Sequence, residues 1–269
     1  MSELTPRKWL GLEATYNPNR WYLPVIPRLS VREIFLFGGA GLAAATTALE
    51  ETTGRPVVWA TAQYLDFAKV GETMDLDVHV SVSGRYTTQA RVIGRVGDRE
   101  IITVNAALGR RELDLTETWP TRPDVRAPDE CRPRAYDYDQ DSLGKHLDQR
   151  FAPTTGEKLG GPTGHGPGRL CVWTKPPDGV GNSAATLAVL GDFVPMGISN
   201  VASQPVGSNS LDNTLRIIDV RPSEWYLLDI EAGGIANGFG HGQLRIWDDQ
   251  GNLQAIASQS VVVRDRRKR

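Results

Sequence analysis

The sequence predicts an α+β protein made of two tandem copies of one unit, each an antiparallel sheet wrapped around a long apolar helix. Three observations carry this expectation. An Ala- and Leu-rich stretch without proline precedes four extended segments, and the same order returns after a break. Polar and apolar residues alternate where strands are expected, as in Asp75-Leu-Asp-Val-His-Val-Ser-Val82. Turn residues, Ser83-Gly84 and Gly97-Asp98, sit where hairpins must reverse.

Residues 11–24 read as short extended pieces broken at Asn17-Pro18-Asn19, and residues 38–51 as a buried helix ending near Gly54. Strands are expected at 57–67, 74–83, 86–96 and 101–108, completing a first unit over residues 1–110. Residues 111–168 crowd prolines, charges and glycines and read as a linker, with a short helix near 141–150. The second unit, 169–269, opens with a strand at 170–175 and a helix at 182–190 capped by Asn182 or Ser183. Four strands follow, at 210–220, 225–231, 242–247 and 253–263. Without gaps, residues 89–110 align on 243–264 with five identities in 22 positions, Gln89/Gln243 and Arg91/Arg245 among them.

Charge is nearly balanced, 30 basic against 32 acidic residues, so neither a polybasic nucleic-acid binder nor an acidic tail is expected. Cys131 and Cys171 are too few for a disulfide framework or a thiolate zinc site and read as free thiols in a reducing compartment. His79, His146, His165 and His241 show no metal-ligand spacing, so no metal and no other cofactor is expected. No apolar run approaches the roughly 18 residues that span a bilayer, and the start Met1-Ser2-Glu3-Leu4-Thr5-Pro6 is not a signal peptide. A cytoplasmic protein is expected. It is expected to be a homo-oligomer, since the sheet face and edges of such a unit usually take partners.

A sheet around a buried helix, occurring twice, describes a double hotdog. Phe37-Gly-Gly-Ala-Gly-Leu-Ala, Gly191-Asp-Phe-Val-Pro195, Ser210-Leu-Asp-Asn-Thr214, Glu224-Trp-Tyr-Leu-Leu228 and Ala257-Ser-Gln-Ser-Val-Val-Val-Arg264 resemble the acyl-CoA thioesterase II (TesB-like) family. The resemblance implies hydrolysis of fatty acyl-CoA, within fatty-acid metabolism, without a covalent enzyme intermediate. It places the family's water-holding Asp, Thr and Gln on Asp192, Ser210 and Gln259. Ser210 stands where the family usually has Thr, keeping the hydroxyl and losing the methyl.

These residue types suit the chemistry. A thioester has an electrophilic carbonyl and a thiolate that leaves readily, so an activated water suffices. A carboxylate beside Leu190, Phe193 and Val194 can have the raised pKa of a base, while neutral Ser and Gln side chains aim the water. Each residue also has a plainer reading. Asp192, following Leu-Gly, can simply cap or kink a helix, and Gln259 can face solvent. A double hotdog that binds acyl-CoA without turnover remains the rival from another class.

Other motifs point elsewhere. Gly191-Asp192-Phe-Val-Pro195 is similar to the Gly-Asp-x-Asn-Pro motif of hotdog hydratases, but Val194 replaces Asn and Gly197 stands where their His belongs. Gly39-Ala-Gly41-Leu-Ala-Ala44, with Asp66 beyond it, matches the dinucleotide fingerprint, yet no further βαβ units follow. In a hotdog those glycines would let the helix start approach the sheet. Gly164-His-Gly166 lacks the Lys of a phosphate loop. Arg264, Arg266, Arg267, Lys268 and Arg269 form a tail that either meets CoA phosphates or is solvated. The repeat pairs Gln259 with Asn105, and a looser alignment sets Thr61 near Ser210. The first helix has no carboxylate before Glu50, so the first unit is expected to be catalytically silent, with Asn105 and Thr61 as core hydrogen-bond partners or tunnel lining.

Overall fold

The structure, a computed structural model, describes residues 4–154 and 168–268. The Gly164-His-Gly166 motif, His165 and Arg269 lie outside them. In chain order the elements begin with α1 (Pro6–Leu10), β1 (Glu13–Ala14), β2 (Arg20–Pro24), β3 (Ser30–Val31), β4 (Phe35–Leu36) and α2 (Gly38–Thr53). Next come β5 (Val57–Tyr64), β6 (Thr73–Ser83), β7 (Thr87–Val96), β8 (Arg99–Gly109) and β9 (Asp148–Phe151). The second unit has β10 (Arg169–Lys175), α3 (Ala184–Leu190), α4 (Val194–Val201), β11 (Val206–Ser210), β12 (Asp212–Ile217), β13 (Tyr226–Ala236), β14 (Phe239–Asp248) and β15 (Leu253–Asp265).

Thirteen strands form one sheet in the order β1-β2-β6-β7-β8-β5-β12-β15-β14-β13-β10-β9, with β11 also paired to β15. The two units therefore join edge to edge through β5 and β12, which run antiparallel. This internal pairing occupies the strand edge that a lone unit would expose, and the remaining ends are the short strands β1 and β9.

Small side chains explain how the helices fit inside the curved sheet. Ala40, Ala43, Ala44, Ala45 and Ala48 of α2 are fully buried, and α2 packs directly on α3. Gly54, in the left-handed region at φ +68°, ends α2 as the sequence suggests. Ser183 caps α3 by accepting the Thr186 N–H. The central helix of the second unit is broken at 191–193, where α3 gives way to α4. Contrary to the sequence reading, the stretch Ala184–Val201 is apolar and long enough to cross a membrane by composition, but it is mostly buried inside this protein.

Part of the region expected to be a linker, residues 125–154, is packed. Val125 bridges Thr154, Pro133 bridges Arg150, and Asp148–Phe151 extends the sheet beside β10. Val125, Cys131 and Ala152 bury with Cys171, Trp173, Leu227, Trp247 and Leu253 in a small second core. Only a 3-10 turn, Leu143–His146, stands where a helix was expected at 141–150, because the open edge of β10 takes the following residues as a strand. The expected strand at 210–220 is two strands. One extra residue, Leu211, bulges between Ser210, opposite Val261, and Thr214, opposite Ser258.

The duplication also has a different register from the ungapped alignment. Thr61 and Thr214 are direct partners across β5 and β12, with hydroxyls 3.0 Å apart and a sequence separation of 153. Thr61 faces Asn105, and Thr214 faces Ser258, on the next strands outward. Asn105 thus corresponds to Ser258, and Gln259 to Ala106. A slip of one residue turns a strand over, so Asn105 is exposed while Gln259 is buried. The same register sets Thr61 opposite Thr214 rather than near Ser210, whose counterpart is Val57.

Candidate active site

Asp192 lies in the break between α3 and α4 and is almost fully buried, at 4% exposure. Its surroundings follow from three short pieces of chain. The start of α2 brings the backbone N–H of Gly39 to Asp192 Oδ2 at 2.5 Å. β15 brings Gln259, whose Nε2 donates to Asp192 Oδ1 and, at 3.0 Å, to Ser210 Oγ. The bulge after β11 brings Ser210, whose hydroxyl donates to Asp192 Oδ1 at 3.5 Å. The structure thus brings Asp192, Ser210 and Gln259 together. Asn213, which the sequence reading gave no role, adds a fourth donor, Nδ2 to Asp192 Oδ1 at 3.4 Å.

The orientation of Gln259 is determined by its other end. Gln259 Oε1 accepts the Val194 N–H at 3.1 Å, one of the free donors at the start of α4, so Nε2 must face Asp192 and Ser210. Gln259 is 3% exposed and faces the interior, not solvent.

Burial pushes the Asp192 carboxyl up from 3.8 to about 7, against the opposing pull of hydrogen bonds from Gly39, Gln259, Ser210 and Asn213. Desolvation wins because the donors are neutral. The group is therefore poised to accept and return a proton near neutral pH.

The glycines of the apparent dinucleotide fingerprint have a different task. A Cβ on Gly39 would lie 2.8 Å from Asp192 Cβ and 3.0 Å from Val189 Cα, so this helix start approaches the second unit's helix rather than the sheet. Gly41 does face the sheet, near Ile102 at an ordinary 3.6 Å. Asp66 pairs with Arg99 at 2.8 Å. Gly39 and Asp192 share the sequence separation of 153 that relates Thr61 to Thr214. The counterparts of Asp192, Ser210 and Gln259 in the first unit are therefore Gly39, Val57 and Ala106, which supply no acid, hydroxyl or amide.

A cavity of about 650 Å³ opens beside Asp192 and Ser210. One part of its wall is apolar, with Phe35, Phe67, Met74, Ile101 and Ile102. Another is polar, with Arg32, Arg134, Tyr136, Asn209 and Arg266. Arg134 and Tyr136 come from the expected linker, where nothing in the sequence marked them. Among the described residues of the basic tail, Arg266 borders the cavity, while Arg267 pairs with Asp265 at 2.8 Å.

Residues 128–263 match the acyl-CoA thioesterase C-terminal domain family. The chain belongs to the acyl-CoA thioesterase family. As a thioesterase of this family it is a thioester hydrolase, and its architecture is the double hotdog. A protein of Novosphingobium aromaticivorans described as a thioesterase shares 34% identity, with 93% of this chain and 97% of that one covered and a TM-score of 0.84. Acyl-CoA thioesterase II TesB2 of Mycobacterium marinum shares 18% identity over 98% of this chain and 100% of that one, at TM-score 0.77. A hotdog-fold protein of Alicyclobacillus acidocaldarius has 18% identity and TM-score 0.77, covering 93% and 95%. No curated protein sequence matches the chain.

The hydratase-like motif of this thioesterase has no room for the missing histidine. A Cβ on Gly197 would lie 2.4 Å from Ile230 Cγ2, so α4 rests on β13 with hydrogen at that position.

Proposed function

We propose that this thioester hydrolase cleaves fatty acyl-CoA to free fatty acid and CoA by direct attack of water, with Asp192 as base and Ser210 and Gln259 holding the water. The observation that supports the reading is the buried carboxyl of Asp192, with a pKa near 7 and three neutral side chains converging on one of its oxygens. As the water oxygen bonds to the thioester carbonyl carbon, Asp192 takes the water proton. The tetrahedral oxyanion then collapses, the C–S bond breaks, and the departing thiolate takes a proton from Asp192. Gly38, which borders the cavity at the start of α2, offers its backbone N–H to the oxyanion, where the helix dipole favours negative charge.

The apolar wall takes the acyl chain, and the side with Arg32, Arg134 and Arg266 takes the CoA phosphates. The buried, unpaired thiols Cys131 and Cys171 fit a reducing compartment, the cytoplasm. Free-CoA release from a panel of acyl-CoA substrates, read with a thiol reagent, tests the reading. Binding without thiol release would leave a non-catalytic acyl-CoA module. Enoyl absorbance lost from crotonyl-CoA without thiol release would indicate hydration and overturn it.

A further inference from the structure

Two buried polar atoms beside Asp192 make no hydrogen bond, to each other or to any other described residue, and they are chemically complementary. One is the hydroxyl of Tyr64, at the end of β5; the other is Oδ1 of Asn213, on β12. The two residues lie on adjacent strands. Tyr64 N–H donates to Leu211 O at 2.9 Å, and Asn213 is directly opposite Ala62. The Tyr64 ring also closes over the start of α2. A Cβ on Gly38 would lie 3.1 Å from the Tyr64 hydroxyl and 2.8 Å from Asp192 Oδ2, so both oxygens border the same small space.

The chemistry selects one arrangement. Asn213 has one donor end and one acceptor end, and the donor end meets the Asp192 carboxylate. Reversing the amide would set its oxygen against a carboxylate oxygen. With Nδ2 on Asp192, Oδ1 needs a donor, and the Tyr64 hydroxyl is a donor without an acceptor. Burial and the neighbouring Asp192 hold that phenol well above its ordinary pKa of 10, against an opposing pull from the Asn213 side chain, so it keeps its proton. The titratable groups acting on Tyr64 are Asp192 and, beside Asn213 on β12, Asp212. Asp212 is engaged with the Ser260 N–H at 2.6 Å. The first turn of α2 carries no acidic residue.

We propose that Tyr64 is a positioning residue for the hydrolysis: a small turn of its ring brings the hydroxyl to donate to Asn213 Oδ1 and so holds the Asn213 amide with its N–H on Asp192. The proposal rests on Asp192 acting as base. It makes the site bipartite, since a side chain of the first unit then steadies the second unit's carboxylate through one amide. Losing that support removes a donor from the ionised form, so the carboxyl binds its proton more readily.

The experiment is a pH–rate profile of kcat/KM for acyl-CoA hydrolysis, for the full chain and for Tyr64→Phe, Asn213→Ala and the double variant, each with its melting temperature. Tyr64→Phe is expected to move the acid limb up by about half a pH unit to one unit, a roughly three- to ten-fold lower rate at pH 6. The alkaline plateau should stay within about three-fold. Asn213→Ala should move the limb at least as far, and the double variant no farther than Asn213→Ala alone, because Tyr64 acts through Asn213. An unmoved limb in Tyr64→Phe would reduce the residue to a structural role and overturn the proposal. Additive shifts, or loss of activity at every pH, would overturn it too, since Tyr64 would then act without Asn213. Asp192→Asn in the same assay separates the two ideas. If it stays active, the base assignment has failed; if it is inactive while Tyr64→Phe keeps the wild-type limb, only the present proposal has.

Discussion

The Asp192 carboxylate accepts the backbone N–H of Gly39 at 2.5 Å, so the acid of one unit is held by the helix start of the other. The contact exists because glycine leaves the approach open. It explains why a carboxylate whose hydrogen-bond donors are all neutral tolerates burial, since a helix N-terminus supplies both a donor and a favourable dipole. The function of the second unit therefore depends on the backbone of the first.

Asp192→Asn keeps the volume and hydrogen bonding of the side chain but cannot accept a proton. Its kcat should fall about 10²- to 10⁴-fold in the thiol-release assay. Retention of wild-type kcat by a folded variant would remove Asp192 from the mechanism.

The pH dependence has a definite sign. With a pKa near 7, Asp192 loses its basic form below neutrality, so kcat/KM should drop tenfold per pH unit on the acid side. For stability, the folded pKa lies above the ordinary 3.8, so the folded state holds more protons between about pH 4 and 7. Asp192 should thus contribute a decline in stability as pH rises through that window, by up to roughly 1.4 kcal/mol per unit, and Asp192→Asn should remove this contribution from the slope. Denaturation midpoints at pH 5 and pH 8 for the two proteins give the comparison; equal slopes would contradict the raised pKa.

Gly39→Ala and Gly41→Ala form a matched pair. The first sets a methyl 2.8 Å from Asp192 Cβ and 3.0 Å from Val189 Cα, and should lower stability by about 1–3 kcal/mol and kcat at least tenfold. At Gly41 the nearest atoms are 3.5 and 3.6 Å away, so the gain in helix propensity, about 1 kcal/mol, should raise the melting temperature while kcat holds within a few-fold. Similar melting temperatures in both variants would mean that the approach of α2 to Asp192 is looser than described.

Gln259→Ala should reduce kcat tenfold or more, because the amide that orients Ser210 and Asp192 is lost. Asn105→Ala should change kcat by less than two-fold and stability by no more than about 0.5 kcal/mol, since its side chain is on the exposed face. A stability loss of about 1–2 kcal/mol, as expected of a buried hydrogen-bond partner, would return Asn105 to the core and reinstate the ungapped alignment.

The sequence made the sheet legible because alternation reports directly which face is buried, and β6 through β8 came out within two residues of their ends. The trio was reached through resemblance, since nothing local says that Asp192, Ser210 and Gln259 converge. What stayed hidden was relational. Gly39 and Tyr64 acquire their significance only where the two units meet, and Asn213 only where its amide finds the carboxylate. The repeat alignment stood two residues off in β7, where Arg91 corresponds to Gln243, and one residue off in β8, because five identities in 22 positions cannot fix a register. Pro- and Gly-rich composition hid the packing of residues 125–154, whose order comes from tertiary contacts with β10 and Trp173.

In an assembly of two identical subunits, whatever stands at one position of a facing pair also stands at the other. Aspartate on both sides of the Gly39–Asp192 contact would force two Cβ atoms to within about 2.8 Å and crowd two acids into one dry hole. Glycine on both sides would leave no acid at all. Fusion into a single gene lifts this symmetry requirement, because each copy can then mutate alone. One twin has become the reagent and the other its receptacle, and this division is closed to a protein whose two halves must be identical under a two-fold rotation.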